Sequence, residues 1–122
     1  MLLRPINEES DDMTATQNLS MVRGDTLSFD VRLSDLDGAS ISSLYFTVKR
    51  KASDAEYIFQ KSLANGITLV EGTTYRVRVA PEDTDGVTAG KYAYDLQIGV
   101  GTDIYTLLMG TLTIVQDVTA EG

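Results

Sequence analysis

The 122-residue sequence contains no cysteine, no histidine and no tryptophan. Without cysteine there is no disulfide and no thiol nucleophile, and without histidine the commonest metal ligand and general base are missing. A serine nucleophile would have no histidine to activate it. No glycine-rich loop joins a predicted strand to a predicted helix, as a phosphate-binding loop requires. The sequence therefore predicts no catalytic residues, no cofactor and no enzymatic activity.

Positive charge is also scarce, since the sequence has 10 basic and 18 acidic residues and a net charge of -8. An acidic protein repels phosphate backbones, so nucleic acid is not an expected partner. No apolar run approaches the roughly 18 residues that a membrane span needs. The N-terminus lacks the basic region and apolar core of a secretory signal. We expect no membrane partner, no signal peptide and synthesis in the cytoplasm.

What the chain does contain is alternation of apolar and polar residues. Residues 26–34, 44–51 and 91–100 alternate in this way, which is typical of strands with one buried face. Residues 103–115 complete the clearest hairpin in the chain. Turn signals recur every ~8–12 residues, which is the spacing of a sandwich. The sequence predicts one all-β domain over residues 17–119, an antiparallel β-sandwich of about seven to eight strands.

The two ends of the chain lack this alternation. Residues 1–16 are polar and carry an acidic run, so they bury too little apolar surface to offset the entropy of ordering. We expect a flexible acidic N-terminal arm over residues 1–16 and a short tail over residues 120–122.

The last predicted strand, residues 103–115, is apolar on both faces. A strand of this kind is buried, bulged or covered by another chain. Gly110 lies where a bulge would shift the register. Alternatively the strand contacts another subunit, and Tyr105, Leu107 and Met109 are the candidate interface residues.

An acidic turn, Asp83-Thr84-Asp85-Gly86, precedes the predicted strand 91–100, and Asp35-Leu36-Asp37-Gly38 has the same pattern. Aspartates two apart can converge on calcium, but aspartate and glycine are also the residues that turns prefer. We interpret both segments as turns and assign no metal ligands, with calcium binding as the alternative.

After the acidic turn, Gly90, Tyr92 and Tyr94 follow in a spacing that resembles the tyrosine corner of immunoglobulin-like domains. That resemblance implies that Tyr92 bonds back to the backbone of the turn. The structural corner predicted from these residues is Asp83, Thr84, Gly90, Tyr92 and Tyr94.

A longer likeness covers residues 21–119. The sequence resembles the small immunoglobulin-like domain of phage and prophage tail or baseplate proteins, including the N-terminal domain of baseplate upper proteins. The matching residues are Gly24-Asp25-Thr26, Phe46-Thr47-Val48-Lys49, Asp83-Thr84, Gly90, Tyr92, Tyr94, Asp95 and Gly110.

The resemblance implies an immunoglobulin-like sandwich that serves as a non-catalytic assembly module of a tail or baseplate. Its expected partners are other virion or tail proteins or a second copy of the chain, and its final location is the virion. The alternative is a ligand-binding module at a bacterial surface, of the carbohydrate-binding or adhesin type. A carbohydrate platform needs a row of exposed aromatic rings, and the alternation leaves only Tyr45 and Tyr105 exposed.

Overall fold

The structure is a computed structural model that describes residues 15–33, 41–72 and 74–118. These residues form strands and one short helix, so the predicted all-β class is confirmed. The elements are β1 (Ala15–Thr16), β2 (Leu19–Val22), β3 (Leu27–Arg32), β4 (Ser43–Lys49), β5 (Phe59–Leu63), β6 (Gly66–Glu71), β7 (Thr74–Val79), α1 (Pro81–Thr84), β8 (Gly90–Val100) and β9 (Asp103–Val115).

The described residues contain nine strands, whereas the sequence predicts seven or eight. Much of the difference lies at the N-terminal end, where Ala15–Thr16 forms β1 although the sequence places it in the arm. The rest of the predicted arm, residues 1–14, and the predicted tail, residues 120–122, lie outside the described residues.

All described strands belong to one hydrogen-bonded sheet in the order β1-β9-β8-β4-β5-β6-β7-β3, and β2 also pairs with β9. The prediction of antiparallel pairing is wrong for three pairs, since β1 and β2 run parallel to β9 and β5 runs parallel to β6. This sheet curls on itself. β3 and β4 are four places apart in the order, which would separate them by about 19 Å in a flat sheet. Yet the rings of Phe29 on β3 and Phe46 on β4 have centroids only 5.5 Å apart. One face of the sheet therefore closes around the core.

The core consists of the inward-facing residues of this curled sheet. Phe46 lies at its centre and is fully buried, with the rings of Phe29, Phe59 and Tyr94 at centroid distances of 5.5, 6.3 and 5.4 Å. The alternation in the sequence correctly predicts the inward residues of β4 and β8. Those residues are Leu44, Phe46, Val48, Tyr92, Tyr94, Leu96 and Ile98.

β9 contains a bulge that explains its two-sided apolar character. Leu96 on β8 is paired with Leu108, whereas the next residue, Gln97, is paired with Thr106, so Leu107 is the extra residue. Leu107 and Leu108 are both buried, because the two bulged residues turn their side chains to the same face. The bulge that the sequence places at Gly110 lies earlier in the strand, at Leu107.

The bulge also divides the predicted interface residues. At a strict two-residue period, Tyr105, Leu107 and Met109 would share a face. Leu107 is instead fully buried, and Tyr105, paired with Ile98, packs against the core. Only Met109 is exposed, with 47% of its surface accessible. The extra residue Leu107 changes which face of the sheet the following side chains point to. The three side chains therefore do not form one surface.

Gly110 has a different role: because it has no side chain, the backbone of Gln17 can approach it closely. Gly110 is paired with Tyr94, and the Tyr94 hydroxyl donates a 2.5 Å hydrogen bond to the carbonyl oxygen of Gln17. The Gln17 N–H donates to the carbonyl of Met109 at 3.0 Å. A Cβ atom on Gly110 would overlap the Gln17 carbonyl oxygen. We call Gln17, Tyr94 and Gly110 the Gln17 lock, because together they fasten the N-terminal strands to β9.

Replacing Gly110 by alanine is expected to break this lock. The added methyl group meets backbone atoms that cannot move aside cheaply, so the free energy of unfolding should fall by roughly 1–3 kcal/mol. Urea denaturation measures this loss. Gly86→Ala is the matched control, since a Cβ there meets no atom within 4 Å. Equal stability of the two variants would contradict the steric argument.

Candidate functional site

The acidic corner is held together by Asp83. Its carboxylate accepts a 2.7 Å hydrogen bond from the backbone N–H of Ala80, immediately before α1, and a 2.8 Å bond from the Lys61 ammonium group. The ion pair is largely shielded, with 12% and 15% of the two side chains exposed. Ionic hydrogen bonds are stronger than neutral ones, so Asp83 anchors α1 to β5.

Thr84 ties the corner to the turn after β2. It is fully buried, and its hydroxyl accepts a 2.8 Å hydrogen bond from the backbone N–H of Gly24. The guanidinium of the neighbouring Arg23 lies 2.9 Å from the Asp117 carboxylate and donates to the carbonyl of Val87. These contacts join the turn after β2 and the segment after β9 to the corner.

The two tyrosines of the predicted corner have different partners. Tyr92 donates a 2.5 Å hydrogen bond to the carbonyl of Thr88, which is the type of bond that the tyrosine-corner resemblance implies. Tyr94 instead belongs to the Gln17 lock, and burial raises the pKa of its hydroxyl to about 12. Gly90 begins β8 with a φ of +153°, a conformation that other residues rarely adopt. The corner is thus a structural element, and Tyr94 lies outside its hydrogen bonds.

The acidic turn Asp83-Thr84-Asp85-Gly86 forms no group of metal ligands with other described residues. Within residues 15–33, 41–72 and 74–118, no three histidine, cysteine, aspartate or glutamate side chains gather as ligands would. The segment Asp35-Leu36-Asp37-Gly38 lies outside the described residues.

No helix in the described part of the chain is long and apolar enough to cross a membrane.

Three strands present a continuous surface on the side away from the core. On β4, β8 and β9 the outward positions are aligned in rows, such as Thr47, Asp95 and Met109. We call this surface the outer face. Three of its apolar side chains are exposed to 41%, 62% and 47%, respectively: Tyr45, Ile104 and Met109.

The outer face contains a groove of about 350 Å³, which we call the Asp95 groove. This volume is at the lower end of the range for ligand pockets. Small residues such as Ala52 and Ala93 leave the space, and Thr16 of β1 also lines it. The polar and apolar groups that a ligand would meet are Thr47, Lys49, Asp95, Met109 and Thr111.

Asp95 is the unusual group in this groove. It is half-buried, and desolvation raises the pKa of its carboxyl group, although the charge of Lys49 acts in the opposite direction. Among the described residues, no hydrogen bond or direct ion pair reaches the Asp95 carboxylate. A half-buried charge without a partner lowers the stability of the fold. Asp95 is one of the residues that carry the resemblance to tail proteins, but the sequence pattern does not mark it as a site residue.

Comparison with known proteins identifies no family for this chain. No protein-family model matches the sequence, and no curated protein matches it. Among solved structures, the chain is similar to part of an endo-β-1,4-mannanase from Thermotoga petrophila, with 11% identity and a TM-score of 0.56. The match covers 82% of this chain but only 18% of the mannanase. At this identity the likeness concerns the fold alone.

A second similar structure is the extracellular domain of a voltage-gated sodium channel β4 subunit. It is 13% identical with a TM-score of 0.45, and the match covers 84% of this chain and 93% of that domain.

The corner predicts the effect of Tyr92→Phe. Loss of the hydrogen bond to Thr88 should lower the free energy of unfolding by about 1 kcal/mol, as measured by urea denaturation. Tyr45→Phe is the matched control, since the exposed Tyr45 hydroxyl has no partner among the described residues. If both variants were as stable as the wild type, the bond would contribute nothing to the corner.

The environment of Asp95 predicts that Asp95→Asn is more stable than the wild type at neutral pH. Folding raises the pKa of the Asp95 carboxyl group. The contribution of this group to the free energy of unfolding is therefore favourable below the pKa of the unfolded state, and it is lost as pH rises through the pKa of the folded state. The gain from asparagine should therefore shrink as pH falls toward about 3. Urea denaturation across this pH range measures the difference.

Asp30→Asn is the control of opposite sign. The hydrogen bond from Arg76 lowers the pKa of Asp30 in the folded state. The contribution of Asp30 to the free energy of unfolding is therefore present above the pKa of the unfolded state, and it is lost as pH falls through the pKa of the folded state. Asparagine at position 30 should bring no gain at neutral pH. A loss of stability in Asp95→Asn at neutral pH would show that the carboxylate has a stabilising partner.

Proposed function

We propose that this protein is a non-catalytic assembly module of a phage or prophage tail, in the baseplate or associated with the tail, which acts through protein–protein contacts. The observation that carries the proposal is the outer face. It presents Tyr45, Ile104 and Met109 on a rigid, hydrogen-bonded surface of three strands. Exposed apolar side chains grouped on one surface are typical of interaction sites, and tyrosine and methionine are enriched there.

The finer fold belongs to the same proposal. The curled sheet is an immunoglobulin-like β-sandwich, in which β9, β8 and β4 form one layer and β6, β7 and β3 the other. The contact between Phe29 and Phe46 supports the two layers, and the bond from Tyr92 to Thr88 supports the tyrosine corner.

The resemblance to tail proteins gains support from how the matching residues are used. Gly24 and Thr84 bond to each other, although 60 positions separate them. Tyr94 and Gly110 are paired across two strands and together hold Gln17. These matching residues therefore make structural contacts, as expected of residues that maintain a shared fold while outward residues select the partner.

The proposed partners are other virion or tail proteins, with a second copy of the chain as a further candidate. The protein would be made in the cytoplasm and incorporated into the tail.

The test compares two sets of surface substitutions. Tyr45→Thr, Ile104→Thr and Met109→Thr together remove the apolar side chains of the outer face while keeping residues that favour strands. Leu69→Thr and Val70→Thr form the control, since both residues are exposed on β6. Native mass spectrometry is done on each variant co-expressed with the tail proteins encoded beside its gene, and light scattering reports self-association.

The wild type and the control should form a complex, and the outer-face variant should lose it without a change in denaturation midpoint. A protein that stays strictly monomeric and binds no tail protein would overturn the proposal.

A second candidate function is a ligand-binding module of the carbohydrate-binding or adhesin type at a bacterial surface. The Asp95 groove favours it, because hydroxyl and carboxylate groups of Thr47, Thr111 and Asp95 line a concavity of ligand size. The fold likeness to part of a mannanase makes β-1,4-linked mannooligosaccharides the first sugars to test. Saturable binding of such a sugar in the groove would favour this function, and silence on a glycan array would exclude it.

A further inference from the structure

We infer that the Asp95 groove binds a cationic side chain, arginine or lysine, presented by an extended segment of a partner protein. This inference rests on the proposed role in protein–protein assembly and names the chemistry of the contact. It concerns the described residues of β4, β8 and β9.

The first argument is the position of the carboxylate. Asp95 lies on β8, between its paired residues Thr47 on β4 and Met109 on β9. The strands on both sides leave its side chain half-buried. No hydrogen bond or direct ion pair reaches it from the described residues. A shielded carboxylate without a donor is complementary to a guanidinium or ammonium group.

The second argument is that Lys49 does not supply the missing hydrogen bond or close ion pair to Asp95. Lys49 is paired with Ala93, one row away from Asp95, and it attracts the carboxylate only over a distance. By contrast, each of the other described ion pairs of the protein has a separation of 2.8 or 2.9 Å. Lys49 lines the same groove and its charge weakens the negative potential at Asp95, but it forms no hydrogen bond or close ion pair with the carboxylate.

The third argument is the shape and polarity of the groove. A lysine or arginine side chain has an apolar stem and a charged end, and it needs a site with both characters. Met109 and Ala93 offer an apolar surface for the stem. Thr47, whose hydroxyl accepts a 2.9 Å hydrogen bond from Gln60, and Thr111 lie in the same lining as Asp95. The groove of about 350 Å³ is large enough for one such side chain and its flanking backbone.

The charge of the whole chain acts in the same direction. A net charge of -8 attracts a cationic segment before contact and raises its association rate. Once the segment is bound, Asp95 supplies the specific contact, and the exposed Met109, which is paired with Asp95, lies beside it.

The experiment is an NMR titration of the full chain with a blocked tripeptide, N-acetyl-Thr-Arg-Thr-amide. The control peptide carries citrulline, which has nearly the shape of arginine but no charge. The arginine peptide should cause saturable shifts of the amide signals of Thr47, Ala93, Asp95 and Thr111. The citrulline peptide should bind at least about tenfold more weakly.

Asp95→Asn is the matched variant, and it should lose the preference for arginine while keeping the fold. Asp103→Asn, at the exposed first residue of β9, should retain it. Equal binding of the two peptides, no saturable shifts at millimolar peptide, or shifts confined to other residues would each overturn the inference. A titration with mannohexaose that shifts the same amides and competes with the peptide would assign the groove to carbohydrate instead.

The outcomes for this site and for the assembly function can be told apart. If the complex with tail proteins persists in Asp95→Asn and no peptide binds, the groove is not the contact and the assembly function stands. If no complex forms but the arginine peptide binds, the groove recognises cations in another function.

Discussion

The carbonyl oxygen of Gln17 is the point on which much of the described architecture depends. It accepts a hydrogen bond from Tyr94, which lies on the far side of β9, and the bond can form only because Gly110 has no side chain in the way. A buried hydrogen bond contributes about 1 kcal/mol, and leaving its donor unpaired costs more. This contact holds β1 and β2 along β9, so that a long strand edge is covered and protected from pairing with other chains. It also places Thr16 in the lining of the Asp95 groove, together with Tyr94 and Gly110 themselves.

Alternation of side chains predicts most of the strands, because burial on one face imposes a period of two wherever the strand is regular. It fails at Leu107, since a bulge changes the period by one residue and only the pairing with β8 reveals it. The turn-back bond of Tyr92 is local, with its partner four residues away, and the tyrosine-corner resemblance implies it. The bond of Tyr94 joins residues 77 positions apart, which no local pattern can indicate.

Gly110 and Asp95 show two further limits of sequence reasoning. A glycine inside a strand indicates either a bulge or a close backbone approach, and the choice depends on Gln17, which is distant in the sequence. Asp95 follows two buried tyrosines at an ordinary outward position. Its burial arises from the neighbouring strands and the groove, so the pattern of β8 alone gives no signal of it.

The two faces of β8 have separate tasks in the proposed function. Its inward residues, Tyr92 and Tyr94, fasten the corner and the N-terminal strands. Its outward residue Asp95 is expected to lower stability, because burial raises the pKa of its carboxyl group, and proteins often retain such a residue where binding needs it. The fold and the site are therefore linked through one strand, because the contacts that close the core also shape the groove on the opposite side.

The dependence on the Gln17 lock is tested most directly by a double-mutant cycle with Tyr94→Phe and Gly110→Ala, in which the free energy of unfolding is measured for all four proteins. If the two residues act through Gln17, each substitution displaces the same contact, and the double variant will lose less stability than the sum of the single losses. A coupling of at least about 0.5 kcal/mol is expected for residues that share one partner. Strict additivity would contradict the lock and would mean that Tyr94 and Gly110 stabilise the fold independently.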